Sequence, residues 1–480
     1  MAAGAGARRG LANGRVVAEN IAVIGGGYVG AVVSACLAHV GHEVIGVERD
    51  PRRLASLRAG RAPLREPGLD ELLSGSLEAG RLSFTDDLAL GIDRSTMLFV
   101  CVGTPPGRDG RPDMAAMAEV VGRMAGRLRD GHVMVVKSTV PIGTGRWLRS
   151  LVEERLGDDA RRCSFGIVSN PEFLREGRAV DDFLHPDRIV VGGDDPAARG
   201  RVVEVYAPIA AQRIPGDTEH RWPVPVVQSD LVTSEMIKYA SNAFLATKIS
   251  FVNEIARLCD LVGADASVVA GGMGLDSRIG RRFLDAGLGW GGSCLGKDLS
   301  ALVGTAVELG YRPSLLDAAR RVNERQRQLV VEALDRHLGA LRGARLGLLG
   351  LAFKPGTDDT RDAPGLDIAQ RLLRRGAAVS AFDPVVRSLP EGHGIRVAED
   401  AYAAARDADA LLLATEWPDF AALDLRRLRT VMRGDLLFDG RNFFDPERLR
   451  AAGFRYLGIG RPGVGSAAEP SAGLVPRAAG

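Results

Sequence analysis

Short apolar runs rich in β-branched residues recur along this chain, separated by amphipathic stretches, and that rhythm constrains the fold more than any other feature. NIAVIGGG at residues 20–27 leads into a helical stretch through His39, then HEVIGVE, and later TMLFVCVG, HVMVVKST, FGIVSN and DRIVVGG. Runs that are apolar at successive rather than alternate positions belong to strands covered on both faces, so a parallel sheet sheathed in helices is expected. After VPVVQSD the pattern changes. From Leu231 to about Leu261 neither Gly nor Pro intervenes until Gly263, which predicts a single helix of roughly 30 residues. More helix follows to about Leu338. ARLGLLGLAF then opens a second strand-led unit, continued by AAVSAFDP, DADALLLAT and DLLFDG and ending near Gly460.

The expected fold class is α/β, with two Rossmann-like doubly wound parallel-sheet domains joined by a long central helix and a helical middle region. The boundaries expected are a first domain over 20–228, a helical region over 229–338 and a second α/β domain over 339–462. The Gly/Ala/Pro-rich tails, 1–19 and 463–480, have too few bulky apolar residues to offset the entropy of ordering and are expected to be disordered. A length of 480 residues fits such a division. The 62 basic and 60 acidic side chains leave a formal charge of +2, which argues against a nucleic-acid or polybasic membrane protein, since both need a clustered positive excess. No run approaches the ~20 apolar residues of a membrane span, and the first twenty residues lack the apolar core of a signal peptide. The five cysteines are scattered and form no CxxC pair, and the seven histidines form no HExxH. A reducing cytoplasm and no metal are expected. The basic residues themselves are skewed, with five lysines against 57 arginines.

Four local patterns carry chemistry. Gly25, Gly27 and Gly30 form GxGxxG between the first strand and its helix, where backbone can approach a pyrophosphate on the helix dipole. Alone that motif marks only a tight turn. Glu48, at the end of the second strand eighteen residues after Gly30, adds a carboxylate placed to bind ribose hydroxyls and to repel a 2′-phosphate, which favours NAD over NADP. Arg49 beside it tempers that preference. Cys294, in GWGGSCLGKD, precedes an amphipathic stretch from Asp298 to Leu309. A thiol near a helix N-terminus, with Lys297 close by, is a plausible nucleophile, although most free cysteines are small buried hydrophobes. Cys36, Cys101 and Cys259, within predicted strands or helices, are read that way; Cys163 gives no signal. Lys238 and Asn242 share a face of the long helix. A surface pair is the default reading, but a lysine in so arginine-rich a chain suggests a place that needs a compact ammonium. In SNPEFLREG, Glu172 follows a strand C-terminus, and spacing alone leaves a general base and an exposed loop acid equally open.

Taken together, these segments resemble the UDP-glucose/GDP-mannose dehydrogenase family. The resemblance covers about Ile21 to Arg461 and runs in order through GGGYVG, FVCVGTPP, KSTVPIGT, SNPEFLREG, EMIKYASNAFLATKISFVNE, RIG, GWGGSCLGKD, AFKPGTDDTRDAP, TEW and YLGIGR. It implies two successive hydride transfers to NAD, taking a sugar C6 alcohol through an aldehyde to a carboxylate, as in UDP-glucuronate formation for polysaccharide synthesis. By motif position, Cys294 would be the nucleophile, through a thiohemiacetal and then a thioester. Lys238 and Asn242 would stabilise alkoxide and oxyanion, Glu172 would serve thioester hydrolysis, and Asp298 and Thr139 would place water and polar contacts. The same carry-over implies cofactor contacts from Gly25, Gly27, Tyr28, Val29, Gly30, Glu48, Arg53, Thr104, Thr139, Lys297 and Arg361. Substrate contacts would come from Glu172, Phe173, Leu174, Lys238, Asn242, Arg278, Gly291 and Lys354. Lys354 and Arg361 fall on the family's uridine diphosphate motif, and Arg441 and Asn442 on a segment near the nucleotide. Arg278 matches an arginine that reaches a partner subunit's site, which implies a homodimer or higher homo-oligomer.

Leu295-Gly296 and Trp290 depart from the family's common Phe-Pro and Phe, which implies altered packing with the chemistry kept. A short-chain epimerase or dehydratase would need Tyr-x-x-x-Lys, and none of the six tyrosines is so placed. A one-step hydroxyacid dehydrogenase and an inactive NAD- or nucleotide-sugar sensor remain as alternatives. So do GDP-mannose or a UDP-N-acetylhexosamine as substrate, although HPDRIVVG resembles the UDP-glucose branch. All five lysines lie in segments that carry the resemblance.

Overall fold

The computed structural model describes residues 18–105, 107, 111–157 and 163–461. Apart from Ala18 and Glu19, the tails expected to be disordered lie outside the described residues. The chain divides into two compact units, Met1–Ser241 and Asn242–Gly480.

The first unit is built on β1 (Asn20–Ile24), β2 (Glu43–Val47), β3 (Leu82–Thr85), β4 (Met97–Val100), β5 (Val133–Val136), β6 (Gly166–Ser169), β7 (Ile189–Gly192) and β8 (Val226–Ser229). They form one sheet in the order β3-β2-β1-β4-β5-β6-β7-β8. Alternate residues explain the continuous apolar runs. Ile21, Val23, Met97, Phe99, Val133 and Val135 enter one core, while Ala22, Ile24, Leu98, Val100, Met134 and Val136 enter another on the opposite face. The sheet is parallel except at β6 and β7, which meet antiparallel through Ser169 and Gly192. β7 and β8 then run parallel to each other. The sheet is therefore mixed, where the apolar runs alone predicted parallel strands throughout. Two-sided burial fixes that a strand is interior, and its direction is set by the connection instead.

The second unit holds β9 (Arg345–Leu349), β10 (Ala378–Phe382), β11 (Arg396–Val397), β12 (Ala410–Leu413), β13 (Leu436–Asp439) and β14 (Arg455–Gly458). The order is β11-β10-β9-β12-β13-β14, with every pair parallel. In each sheet the strand order reverses beside the first strand, between β1 and β4 and between β9 and β12. Such a reversal opens a crevice at the strand C-termini where α/β proteins bind ligands.

The breaker-free stretch is one helix, Leu231–Val262, of 32 residues. Helices Ala266–Gly274, Leu295–Glu308 and Ser314–Leu338 follow it. Aspartates open several helices of the protein: Asp50, Asp87 and Asp195 each accept hydrogen bonds from backbone N–H groups of the first turn. These acids are thus used locally for capping.

Candidate active site

The glycine turn after β1 has distinct demands at each position. Gly25 sits at φ +104°, and a Cβ at Gly30 would lie 1.7 Å from the Gly25 carbonyl oxygen. Both glycines are required by the fold itself. Gly27 differs. Its φ is −69° and a Cβ there would meet nothing nearer than Arg53 Nη1 at 3.9 Å, so internal packing does not demand glycine. Beside it, buried Glu48 accepts from Gly26 N at 3.0 Å, Asp50 N at 2.7 Å and Arg53 Nη1 at 3.1 Å. The open side of Gly27, the helix N-terminus behind it and a fixed carboxylate fit a dinucleotide, and the acid fits a free ribose 2′-hydroxyl. Arg49, the residue that tempered the preference for NAD, instead pairs with Glu119 at 3.2 Å. Tyr28 donates to Glu66 at 2.5 Å, and burial together with Glu66 pushes its phenol well above the ordinary range. Val29 is half-buried at the start of the same helix. Thr104 and Thr139 are brought together, the Thr104 hydroxyl donating to the Thr139 carbonyl at 2.7 Å.

Glu172 is not an exposed loop acid. It is buried, and Lys238 Nζ donates to its carbonyl at 2.7 Å and to its Oε1 at 3.1 Å. Burial raises the Glu172 carboxyl, but Lys238, the Leu174 N–H and Lys137 outweigh it and hold the group below its usual range. It is therefore ionised, as a base must be. Leu174 N bonds Glu172 Oε2 at 2.6 Å, and Phe173 lies under the Arg188 guanidinium and near the Lys238 ammonium. Lys137 is buried too, donating to Asn170 at 3.0 Å and Tyr206 at 3.1 Å. Burial pushes its ammonium down to about 8, against the pull of Cys101 and Glu172. Glu235, one turn before Lys238, accepts from Gly143 N at 2.6 Å and Gly145 N at 2.8 Å, which ties the KSTVPIGT loop to the long helix.

In the second unit, Asn242 is buried and donates to buried Asp298 at 2.6 Å. The default reading of Lys238 and Asn242 as a surface pair does not hold for either residue. Cys294 is the N-cap of helix Leu295–Glu308 and, alone of the five cysteines, is exposed. Cys36, Cys101 and Cys259 are buried, as expected of small hydrophobes. Lys297 lies 2.8 Å from Asp298 Oδ1, so its charge is largely answered by that carboxylate rather than offered to the thiol. The loop before Cys294 is pinned to helix Ser314–Leu338. Asn323 exchanges hydrogen bonds with Trp290, at 2.8 Å to its N–H and 3.0 Å to its carbonyl, and Gln326 reaches the Gly287 carbonyl at 2.8 Å. A Cβ on Gly291 would lie 2.1 Å from the Asp362 carbonyl oxygen, and one on Gly292 2.7 Å from the Phe353 ring.

The AFKPGTDDTRD segment follows β9 at the reversal point of the second sheet. Lys354 lies 5.5 Å from the Phe353 ring, and Arg361 forks onto Asp359 at 2.7–3.0 Å. Arg441 donates to the Ala414 and Phe353 carbonyls at 2.7 and 3.2 Å. Asn442 instead brackets Ile459, with its amide donating to that carbonyl at 2.8 Å and its oxygen accepting from that N–H at 2.9 Å, which is a structural use of the side chain. Arg278 is highly exposed and forks onto Asp276, and Lys248 holds the Ile279 and Gly280 carbonyls of the same loop. Motif reading gave no role to Asn170, Tyr206, Glu235, Asn323 or Arg327. Only the scarcity of lysine drew notice to Lys137. None of the five lysines is exposed. Among the described residues, no cluster of His, Cys, Asp or Glu is arranged to hold a metal, and no helix is long and apolar enough to cross a membrane.

The chain matches the three domains of one family in order: the NAD binding domain at residues 19–210, the central domain at 232–325 and the UDP binding domain at 347–446. It is 42% identical to the UDP-glucose 6-dehydrogenase TuaD of Bacillus subtilis, over 94% of this chain and 95% of that one. To the UDP-glucose 6-dehydrogenase of Rhizobium meliloti it is 44% identical, over 92% and 99%. The solved UDP-glucose dehydrogenase from Pyrobaculum islandicum is similar at a TM-score of 0.83 and 37% identity, covering 94% of this chain and all of that one. A UDP-D-ManNAc dehydrogenase from Pyrococcus horikoshii is similar at 0.80 but only 27% identity, covering 92% and 99%. The NAD cradle, the buried Lys238–Glu172 pair and the exposed thiol beside Asn242–Asp298 thus stand on a chain that belongs to the UDP-glucose/GDP-mannose dehydrogenase family.

Proposed function

We propose that this protein oxidises the C6 alcohol of UDP-glucose to the carboxylate of UDP-glucuronate, with NAD as oxidant. The observation that carries the reading is the state of Cys294, an exposed thiol at a helix N-terminus whose first turn contains Asp298, buried and hydrogen-bonded to Asn242. A one-step alcohol dehydrogenase has no use for such a thiol. The higher identity to UDP-glucose dehydrogenases than to the ManNAc enzyme supports glucose as the sugar.

NAD, when bound, accepts one hydride in each of two successive oxidations. Lys238 offers a fixed positive charge to the C6 oxygen as its proton leaves, which stabilises the alkoxide. The Cys294 sulfur then adds to the aldehyde carbon, forming a C–S bond and a thiohemiacetal, and the Asn242 amide steadies the oxyanion. Loss of the second hydride leaves a thioester. Water, relieved of a proton by ionised Glu172, attacks that carbonyl; the C–S bond breaks, the carboxylate forms and the thiol is restored. Asp298 holds Asn242 and balances Lys297. Glu48 and Arg53 would hold the cofactor's ribose, Gly27 would leave room for its pyrophosphate, and Thr104 and Thr139 would add polar contacts to it. Lys354, Arg361 and Arg441 are assigned to the uridine diphosphate, and Phe173, Leu174 and Gly291 to the sugar.

The protein is further read as a homodimer. Phe244, Phe251 and Leu258, 64, 46 and 52% exposed, recur every seven residues on the long helix, the spacing of a helix seam that pairs with another helix. Arg278, exposed on its loop, is assigned to the partner's site.

The decisive experiment counts NADH formed per UDP-glucose consumed. Two is expected. One would make the protein a single-step dehydrogenase, and turnover of GDP-mannose without UDP-glucose would reassign the substrate. Cys294→Ser is expected to abolish UDP-glucuronate formation, and full uronate yield by that variant would refute the thioester route.

A further inference from the structure

Arg327 does something that neither motif position nor composition suggested. It is buried, on the same face of helix Ser314–Leu338 as Asn323 and Gln326. Where those two hold only the loop that leads to Cys294, Arg327 bridges two loops. Its Nη2 donates to the Trp290 carbonyl at 2.9 Å and its Nη1 to Asp362 Oδ1 at 2.9 Å, with Asp367 3.5 Å away. Asp362 closes the AFKPGTDDTRD segment and holds a left-handed backbone, φ +47°, a strained state for a residue with a side chain. Its carbonyl lies where a Cβ on Gly291 would be. Phe353, at the other end of the segment, packs where a Cβ on Gly292 would be. The two loops therefore touch at both ends of the segment without intervening side chains on the cysteine side. The clamp borders a cleft of about 800 Å³ that Trp290, Gly296, Arg327 and Asp362 help to line.

We propose that Arg327 is a positioning residue that couples the two loops, so that a nucleoside diphosphate bound to the 353–361 segment changes how Cys294 is presented. The inference rests on the reading of Cys294 as nucleophile and of Lys354 and Arg361 as diphosphate ligands. A buried guanidinium forked between a carbonyl and a carboxylate resists independent movement of the two, because separating them strands a desolvated charge. Displacement of the segment by a pyrophosphate is then passed to Gly291 and Gly292 through direct contact and to Trp290 through Arg327. Contacts of this kind transmit binding at one place as altered geometry at another.

The test uses the full-length protein and UDP as the probe. The rate of iodoacetamide alkylation of the Cys294 peptide is followed by mass spectrometry with and without saturating UDP, alongside calorimetric UDP affinity. In the unaltered protein UDP is expected to change the Cys294 rate by about fivefold or more. In Arg327→Met that factor should collapse towards one while UDP affinity stays within about twofold, since Arg327 is not assigned to the nucleotide. Asp362→Gly, which removes the acceptor at the other end of the clamp and suits the left-handed backbone there, should do the same and keeps the test alive if Arg327→Met does not fold. An unchanged factor in both variants, or a Cys294 rate indifferent to UDP in the unaltered protein, overturns the coupling alone. Failure of the unaltered protein to bind UDP overturns the nucleotide reading and the coupling with it.

Discussion

At the scale of single residues, the first unit places two buried ammonium groups near one carboxylate. Lys238 touches Glu172 directly, and Lys137 sits behind it on Asn170 and Tyr206. The direct contact asks for a compact donor, since Lys238 reaches both the carbonyl and the carboxylate of one residue through a single nitrogen. Lys238→Arg keeps the charge but replaces that point with a wide planar fork. Turnover is expected to fall by about 100-fold or more; near-normal kcat would mean that lysine at this place is an accident of composition. Lys137 makes a different prediction. Its ammonium is depressed to about 8 by burial, so the folded protein carries the full cost of a buried charge below pH 8. Between about pH 8 and 10.5 the unfolded chain holds the proton more firmly than the folded one, and stability rises with pH. Measured by urea unfolding, the stability of the unaltered protein relative to Lys137→Met should therefore increase by on the order of 2–3 kcal/mol from pH 7.5 to 10.5. A pH-independent difference would show that Lys137 is not the group responsible.

At the scale of elements, the glycine turn separates folding from binding. Gly30→Ala forces a methyl group against the Gly25 carbonyl and is expected to leave little soluble, cooperatively melting protein. Gly27→Ala meets open space and should melt within about 2 °C of the unaltered protein while its KM for NAD rises at least about tenfold. An unchanged KM would remove the pyrophosphate from that turn. The same elements show what could be read in advance. β1, β4 and β5 were legible because both their faces are buried, which forces apolar residues at successive positions. The long helix was legible because nothing in it breaks a helix. The reversal of β7 was not, since strand direction follows from the path of the connection. Nor was the burial of Glu172, whose partner Lys238 is 66 residues away. Lys297 was misread locally: its place three residues after Cys294 offered it to the thiol, whereas its ammonium lies 2.8 Å from the carboxylate of its immediate neighbour Asp298. Arg327 was hidden among 57 arginines, where no local pattern distinguishes a clamp from a solvated surface group.

At the scale of the whole molecule, the stripe of Phe244, Phe251 and Leu258 leads to the most direct prediction of assembly. Phe251→Glu puts a charge at the middle of the seam and is expected to shift sedimentation from dimer towards monomer. Activity should fall with it if the partner's Arg278 completes each site. A dimer that survives this substitution would place the interface elsewhere. The distribution of lysine has a practical corollary for handling the protein. Because no lysine is fully exposed, the molecule offers amine-reactive reagents little side-chain background. An N-hydroxysuccinimide ester or a carbonyl electrophile that acylates an internal amine must do so within one of the motif segments. The extent of labelling therefore becomes a direct report on how open those segments are, and coupling to a support through side-chain amines would select for molecules damaged where the chemistry takes place.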